Sequence, residues 1–184
     1  LLDAWIESGH TRIDCATNYP INRRRTDFRA AELLLQEYVQ AHGLRGELQI
    51  TMKIGSLDNM RTPDINLSPS FIWMMGAEYA RLFGSNLSTL MLHWDNRSDA
   101  ADIAPTLEAL TETARRYALH PGLSGILYPH VYAPLLEQYA SEIFDIQLKH
   151  NIFHSDLPRY APLYSHPHRF HAYGLNAGGV QLDG

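Results

Sequence analysis

The chain has 184 residues, 45% of them hydrophobic and 19% charged, with a net charge of -5. That length is enough for one well-cored domain and short for two, so a single domain over residues 1–184 is expected. An acidic balance offers no positive field to nucleic acid, and no apolar run approaches the roughly 20 residues of a membrane span; a small-molecule partner is the expectation left.

A single cysteine, Cys15, excludes an internal disulfide and fits a reducing, cytoplasmic compartment. No signal-peptide pattern opens the chain. It starts Leu-Leu-Asp, already inside a helical pattern, and the natural N-terminus is expected to lie upstream.

Leu1 to Ser8 reads as a short amphipathic helix stopped by Gly9, and Ile13 to Ala16 as a strand. Pro20 to Asp27, with Arg23, Arg24 and Arg25 in a row, reads as a loop. Phe28, Ala31, Leu34, Leu35, Tyr38 and Val39 recur at helical spacing, closed by Gly43. Leu48 to Lys53 is a strand, and Ser68-Pro69 opens a helix as N-cap and first-turn proline. That helix carries Phe71, Ile72, Met75, Tyr79, Leu82 and Phe83 as far as Gly84.

Leu87 to His93 is a further strand, and the apolar stripe of Ile103, Leu107, Leu110, Ala114 and Tyr117 marks a helix over 99–119. Gly122 to Leu127 and Ile143 to Leu148 read as strands flanking a helix that carries Val131, Leu135, Leu136 and Tyr139. Residues 154–171 are rich in Pro, Tyr and His without a period, and Phe170 to Gly174 reads as a last strand. Strand and helix alternate at the spacing of βα units, which calls for an α/β fold with a parallel sheet. A closed barrel needs eight strands and about six are readable; either the barrel is incomplete or the sheet stays open.

Four polar residues close apolar strand patterns: Asp14, Tyr19 five positions on, Lys53 and His93. In α/β folds that edge of the sheet is where active sites are built. Taken singly each has an ordinary explanation: Asp14 a turn residue, Tyr19 packing, His93 a core histidine. Lys53 is less ordinary, because lysine seldom ends a buried run without a partner. As an ordered set they make a proton-donating site. A tyrosine of pKa about 10 is a poor acid, a lysine ammonium stabilises its phenolate, an aspartate keeps the ammonium charged, and a histidine donates to a developing oxyanion. No side chain supplies hydride, so the set implies a nicotinamide cofactor.

These residues carry a resemblance to the aldo-keto reductases, NAD(P)H-dependent enzymes on a TIM (β/α)8 barrel. Ile13-Asp-Cys-Ala with Tyr19 resembles the family's second-strand motif, Thr51-Met-Lys53 the third-strand lysine, and Leu90-Met-Leu-His-Trp-Asp95 the fourth-strand histidine. The resemblance implies Tyr19 as general acid, Lys53 and Asp14 as its tuners, and His93 as substrate-orienting donor. Gly122-Leu-Ser-Gly-Ile126 resembles the fifth-strand pattern, with Ser124 in place and Gly125 where an asparagine is expected. Gln147 matches the sixth-strand glutamine, and Ala172-Tyr-Gly174 with Ala177-Gly-Gly179 the seventh-strand run, where Leu175-Asn176 replaces Pro-Leu. The resemblance thereby implies Ser124, Gln147 and Tyr173 as contacts of NADPH, or of NADH, and a carbonyl compound as substrate. The family's first strand, eighth strand and basic C-terminal segment are not evident, so a partial barrel is expected.

Two rival readings stand beside reduction of an aldehyde or ketone. One is a non-catalytic protein of the same architecture that binds or regulates, favoured by Gly125. The other is a metal-dependent barrel hydrolase built on His166, His168 and His171, which Pro167 interrupts and no nearby acid completes. No metal is expected there, and Arg23 to Arg25 are expected to be solvated. Cys15 reads as a buried structural thiol.

Overall fold

A computed structural model of the chain describes residues 1–165 and 167–177. Among these residues six parallel strands lie side by side in chain order: β1 (Arg12–Ala16), β2 (Gln49–Ile54), β3 (Leu87–Asp95), β4 (His120–Ile126), β5 (Asp145–Lys149) and β6 (Arg169–Tyr173). Five α-helices alternate with them: α1 (Leu2–Glu7), α2 (Ala30–Ala41), α3 (Pro69–Phe83), α4 (Ala100–Tyr117) and α5 (Pro129–Leu136).

Alternation along each strand divides the sheet into two faces. Ile50, Met52, Ile54, Leu90, Leu92, Leu123, Ile146 and Leu148 point one way and are buried against the helices, among Leu35, Ile72, Met75, Tyr79, Ile103, Leu107 and Leu110. The other face is largely polar: Asp14, Thr51, Thr89, Asp145 and Gln147 line a cavity of about 490 Å3 together with His171 and Arg169, and the Lys53 ammonium meets Asp14 and Gln147 on the same face. That face is strongly concave. Lys53 on β2 reaches Gln147 on β5 at 3.0 Å, three strands away. In a flat sheet the same strands would stand about 14 Å apart, at 4.8 Å each. The sheet is a curled, partial (β/α) barrel, with β1 and β6 as its two edges among the described residues.

Local rules account for both ends of α4. Asp99 caps α4 by accepting the Ala101 N–H at 2.8 Å, and Arg115 and Arg116 lie in the last turn before a left-handed Ala118. Ser68 does occupy the N-cap of α3, but its hydroxyl donates to Asn66 at 2.8 Å and not to the helix. In α2 the expected stripe needs correcting: Leu34 is exposed, and the buried positions are Glu32, Leu35 and Val39. The aperiodic stretch before β6 contains a 3-10 helix, Leu157–Leu163, burying Tyr160 and Leu163 at the three-residue repeat of that helix type.

Helix α3 meets α4 through Gly76. A Cβ there would lie 2.2 Å from Thr113 Cγ2 and 3.3 Å from Leu90 Cδ2. Thr113 cannot easily turn aside, because its hydroxyl donates to the Ala109 carbonyl at 2.7 Å. Gly76→Ala is therefore expected to destabilise the fold by about 1–3 kcal/mol through overpacking, despite alanine's better helix propensity. Urea unfolding would show a lower midpoint; an unchanged one would mean that the helices part freely.

Candidate active site

The carboxyl end of β2 is the centre of the site. Lys53 is 2% exposed, and its ammonium donates to Asp14 Oδ2 at 2.6 Å, Tyr19 Oη at 2.9 Å and Gln147 Oε1 at 3.0 Å. An ammonium has three N–H groups, and each has an acceptor. Burial works to lower the Lys53 pKa; the Asp14 carboxylate and Tyr19 outweigh it and leave the value raised, so the lysine is charged at neutral pH.

Chain geometry brings the partners in. Asp14 lies on β1 in register with Thr51, and its inward side chain remains 42% exposed. After β1 the backbone turns, with Tyr19 N–H on the Ala16 carbonyl at 3.0 Å, which carries the tyrosine back over β2. Lys53 Nζ stands 4.9 Å from the centre of its ring.

His93 lies near the carboxyl end of β3 and packs edge-on against Tyr19, ring centres 5.9 Å apart, and beside Trp94 at 4.6 Å. Burial pushes its pKa down to about 3, with the Lys53 charge acting the same way. The imidazole is neutral across the ordinary pH range, with one ring nitrogen protonated. Its buried Nδ1 has no hydrogen-bond partner among the described residues.

On the far side, Ser124 of β4 donates to Gln147 Oε1 at 3.1 Å, the same oxygen that accepts from Lys53. Tyr173 ends β6 beside Lys149 and is 41% exposed; burial of part of its ring raises its pKa, and Lys53 and Tyr19 are near enough for their charges to act on it. The seven residues expected from the sequence thus lie on one end of one concave sheet. A hydroxyl, a primary amide and an open phenol face beside a proton donor fit an aromatic carboxamide such as nicotinamide. Gly125 contributes no amide, and the backbone shows why: it has φ +64°, and a Cβ would sit 3.3 Å from Cβ of Trp94, itself in the left-handed region at φ +44°.

In the histidine-rich stretch, His171 is paired with an acid. His171 Nε2 lies 3.0 Å from Asp145 Oδ1, which also takes Arg169 Nε at 2.7 Å, while Asp145 Oδ2 accepts from Thr89 at 2.8 Å. Burial alone would raise the Asp145 pKa; His171, Thr89 and Arg169 together hold it below the usual range. His168 packs edge-on to Phe144, and His166 lies outside the described residues, as do Gly178 and Gly179. Among the described residues no three His, Cys, Asp or Glu side chains gather as a metal-binding group. Arg23, Arg24 and Arg25 are exposed. Cys15 is buried with its thiol pushed up to about 11, mainly by desolvation.

A parallel sheet in sequential order, curled into a partial (β/α) barrel, is the fold of aldo-keto reductases of known structure, and the chain has that fold. It is similar to an aldo-keto reductase of Bacillus halodurans solved in its holo form, with TM-score 0.68 over 97% of this chain and 57% of that one, at 20% identity. An aldo-keto reductase of Brucella melitensis gives 0.67 over 97% and 62% at 13% identity. One from a Medee basin deep-sea metagenome library gives 0.63 over 94% and 56% at 12% identity. The chain therefore spans from 56% to 62% of the length of these structures. No protein-family model matches the sequence, and no curated protein does.

Sequence reasoning missed a second set of buried polar residues behind the site, Thr17, Glu32 and Tyr79. Thr17 bonds the Lys53 carbonyl through both its N–H and its hydroxyl, each at 3.0 Å. An acid in the first turn of a helix ordinarily reads as a surface residue favoured by the helix dipole, so Glu32 gave no signal.

Proposed function

We propose that the chain carries the catalytic residues of an NAD(P)H-dependent carbonyl reductase acting on an aldehyde or ketone in the reducing cytoplasm. The observation that carries this reading is the Lys53 ammonium held between Asp14 and Tyr19 at 2.6 and 2.9 Å. Nicotinamide, when bound, supplies the hydride that no side chain can. Ser124 and Gln147 would hold its carboxamide and Tyr173 would stack on its ring.

The remaining work belongs to the chain. Tyr19 gives its hydroxyl proton to the carbonyl oxygen, and the phenolate left behind keeps its hydrogen bond to the Lys53 ammonium. Asp14 keeps that ammonium charged in a buried place where it would otherwise lose its proton. Neutral His93 donates its ring N–H to the carbonyl oxygen and orients it, without competing as a charged acid.

NADPH titration of the purified chain, read by cofactor fluorescence, tests the reading, followed by a screen of aldehydes and ketones for NADPH consumption. Saturable binding with turnover is the expected result, and NADH in parallel sets the cofactor preference. A second reading, a non-catalytic protein that binds or regulates, draws on Gly125, which leaves one carboxamide contact without a side chain. Tight NADPH binding without turnover on any carbonyl would favour it; no binding to a folded chain would remove the reductase reading and favour a member that has lost the cofactor.

A further inference from the structure

We infer that Thr17, Tyr79 and Glu32 form a positioning chain that sets the Tyr19 hydroxyl against the Lys53 ammonium, an inference that rests on the carbonyl-reduction reading above. Thr17 clamps the Lys53 carbonyl from β1 through its N–H, and its one hydroxyl proton is shared between that carbonyl at 3.0 Å and Tyr79 Oη at 3.1 Å. Tyr79 donates to Glu32 Oε2 at 2.5 Å. Glu32 Oε1 accepts from Arg29 Nε at 2.5 Å, and Arg29 Nη2 continues to Glu78 at 2.5 Å. The same helix start holds the other reactant: Ala31 N–H, in the first turn of α2, donates to the Tyr19 carbonyl at 3.2 Å. The backbones of Tyr19 and Lys53 are thus referred to one fixed point.

This arrangement is costly if stability were its only purpose. Thr17, Glu32 and Tyr79 are 4%, 1% and 0% exposed, and Tyr79 belongs to the same apolar layer as Leu35, Ile72 and Met75. Burying a carboxylate and a phenol there is expensive where leucine and phenylalanine would pack well. What the polar chain adds is directional contact, ending on the carbonyl of the residue whose ammonium organises the site. Burial holds the Glu32 pKa above the usual carboxylate value, against the opposing pull of Tyr79 and Arg29. A displacement of about 1 Å at a reacting group is worth up to about 100-fold in rate, so a small slackening would be visible.

The test uses Thr17→Val, which keeps the shape and removes the hydroxyl, Thr17→Ser, which restores it, and Tyr79→Phe, which cuts the link to Glu32. The sequence holds two lysines, Lys53 and Lys149, so a chain labelled with carbon-13 at lysine Cε gives two signals whose titrations can be followed separately. Thr17→Val and Tyr79→Phe are expected to lower the Lys53 midpoint by about half a unit while Lys149 stays put. Both are expected to lower kcat about tenfold with KM and NADPH affinity unchanged. Thr17→Ser is expected to return kcat to within about twofold of the parent. A Lys53 titration unchanged in both Thr17→Val and Tyr79→Phe overturns the inference, as does an equal loss in Thr17→Ser. Should the unaltered chain reduce no carbonyl, the functional reading fails by that result alone, and the Lys53 titration still decides whether the positioning chain exists.

Discussion

Tyr19→Phe is expected to lower carbonyl reduction by about 100- to 10,000-fold while leaving NADPH affinity within about twofold, the range for loss of a positioned general acid. The substitution removes one oxygen and little else. The ring remains to pack edge-on against His93 and under the Lys53 ammonium, as it does at 5.9 and 4.9 Å in the parent. Lys53 loses one of three acceptors and keeps Asp14 and Gln147, so its charge stays in place. Ser124, Gln147 and Tyr173 lie on other strands and are untouched. A fluorescence titration and a turnover assay on the same preparation separate the two effects. Near-parental turnover would remove Tyr19 from the mechanism, and loss of NADPH binding would show that the hydroxyl serves the cofactor instead.

The strands and the polar residues near their carboxyl ends were legible because both depend on short-range pattern. Ile50, Met52 and Ile54 alternate with Thr51 and Lys53, and the period of two separates the helix-facing side from the polar one before any fold is known. Lys53 at the end of a buried run announced an acceptor, and the structure supplies Asp14, Tyr19 and Gln147. Gln147 was readable only through a resemblance, as a cofactor contact; that it lies on Lys53 depends on how tightly the sheet curls over three strands. Glu32 shows the opposite failure. The period of α2 put Leu34 on the buried face, whereas Leu34 is 60% exposed and Glu32 takes the inward place because Tyr79 and Arg29 meet it there. Partners from α3 cannot be seen from α2 alone. Residues 157–163 were unreadable for another reason: Pro158 and Pro162 shorten the helix to a 3-10 form, whose three-residue repeat is too brief to register as a period.

The pair Asp14 and Lys53 should separate stability from catalysis. Asp14→Leu leaves the Lys53 ammonium buried with two neutral acceptors, and is expected to cost about 3 kcal/mol at neutral pH, the lower end for an orphaned buried charge. Lys53→Met leaves no buried charge, because the Asp14 side chain is 42% exposed and returns to water; about 1 kcal/mol or less is expected. Activity should rank the other way, with Lys53→Met falling as far as Tyr19→Phe. The pH dependence fixes the cause. In the parent, the Lys53 pKa is raised above its unfolded value of 10.5, so its contribution is complete below that pH and fades as the pH climbs through the raised value. In Asp14→Leu, Tyr19 alone is left to oppose burial and the folded pKa is expected to drop below the unfolded value, so the penalty is absent at high pH and grows as the pH falls below 10.5. Urea unfolding from neutral to alkaline pH should therefore show the gap between parent and Asp14→Leu closing as the pH rises. A gap independent of pH, or a larger cost for Lys53→Met, would mean that Asp14 is held for its shape and not for the charge it keeps on Lys53.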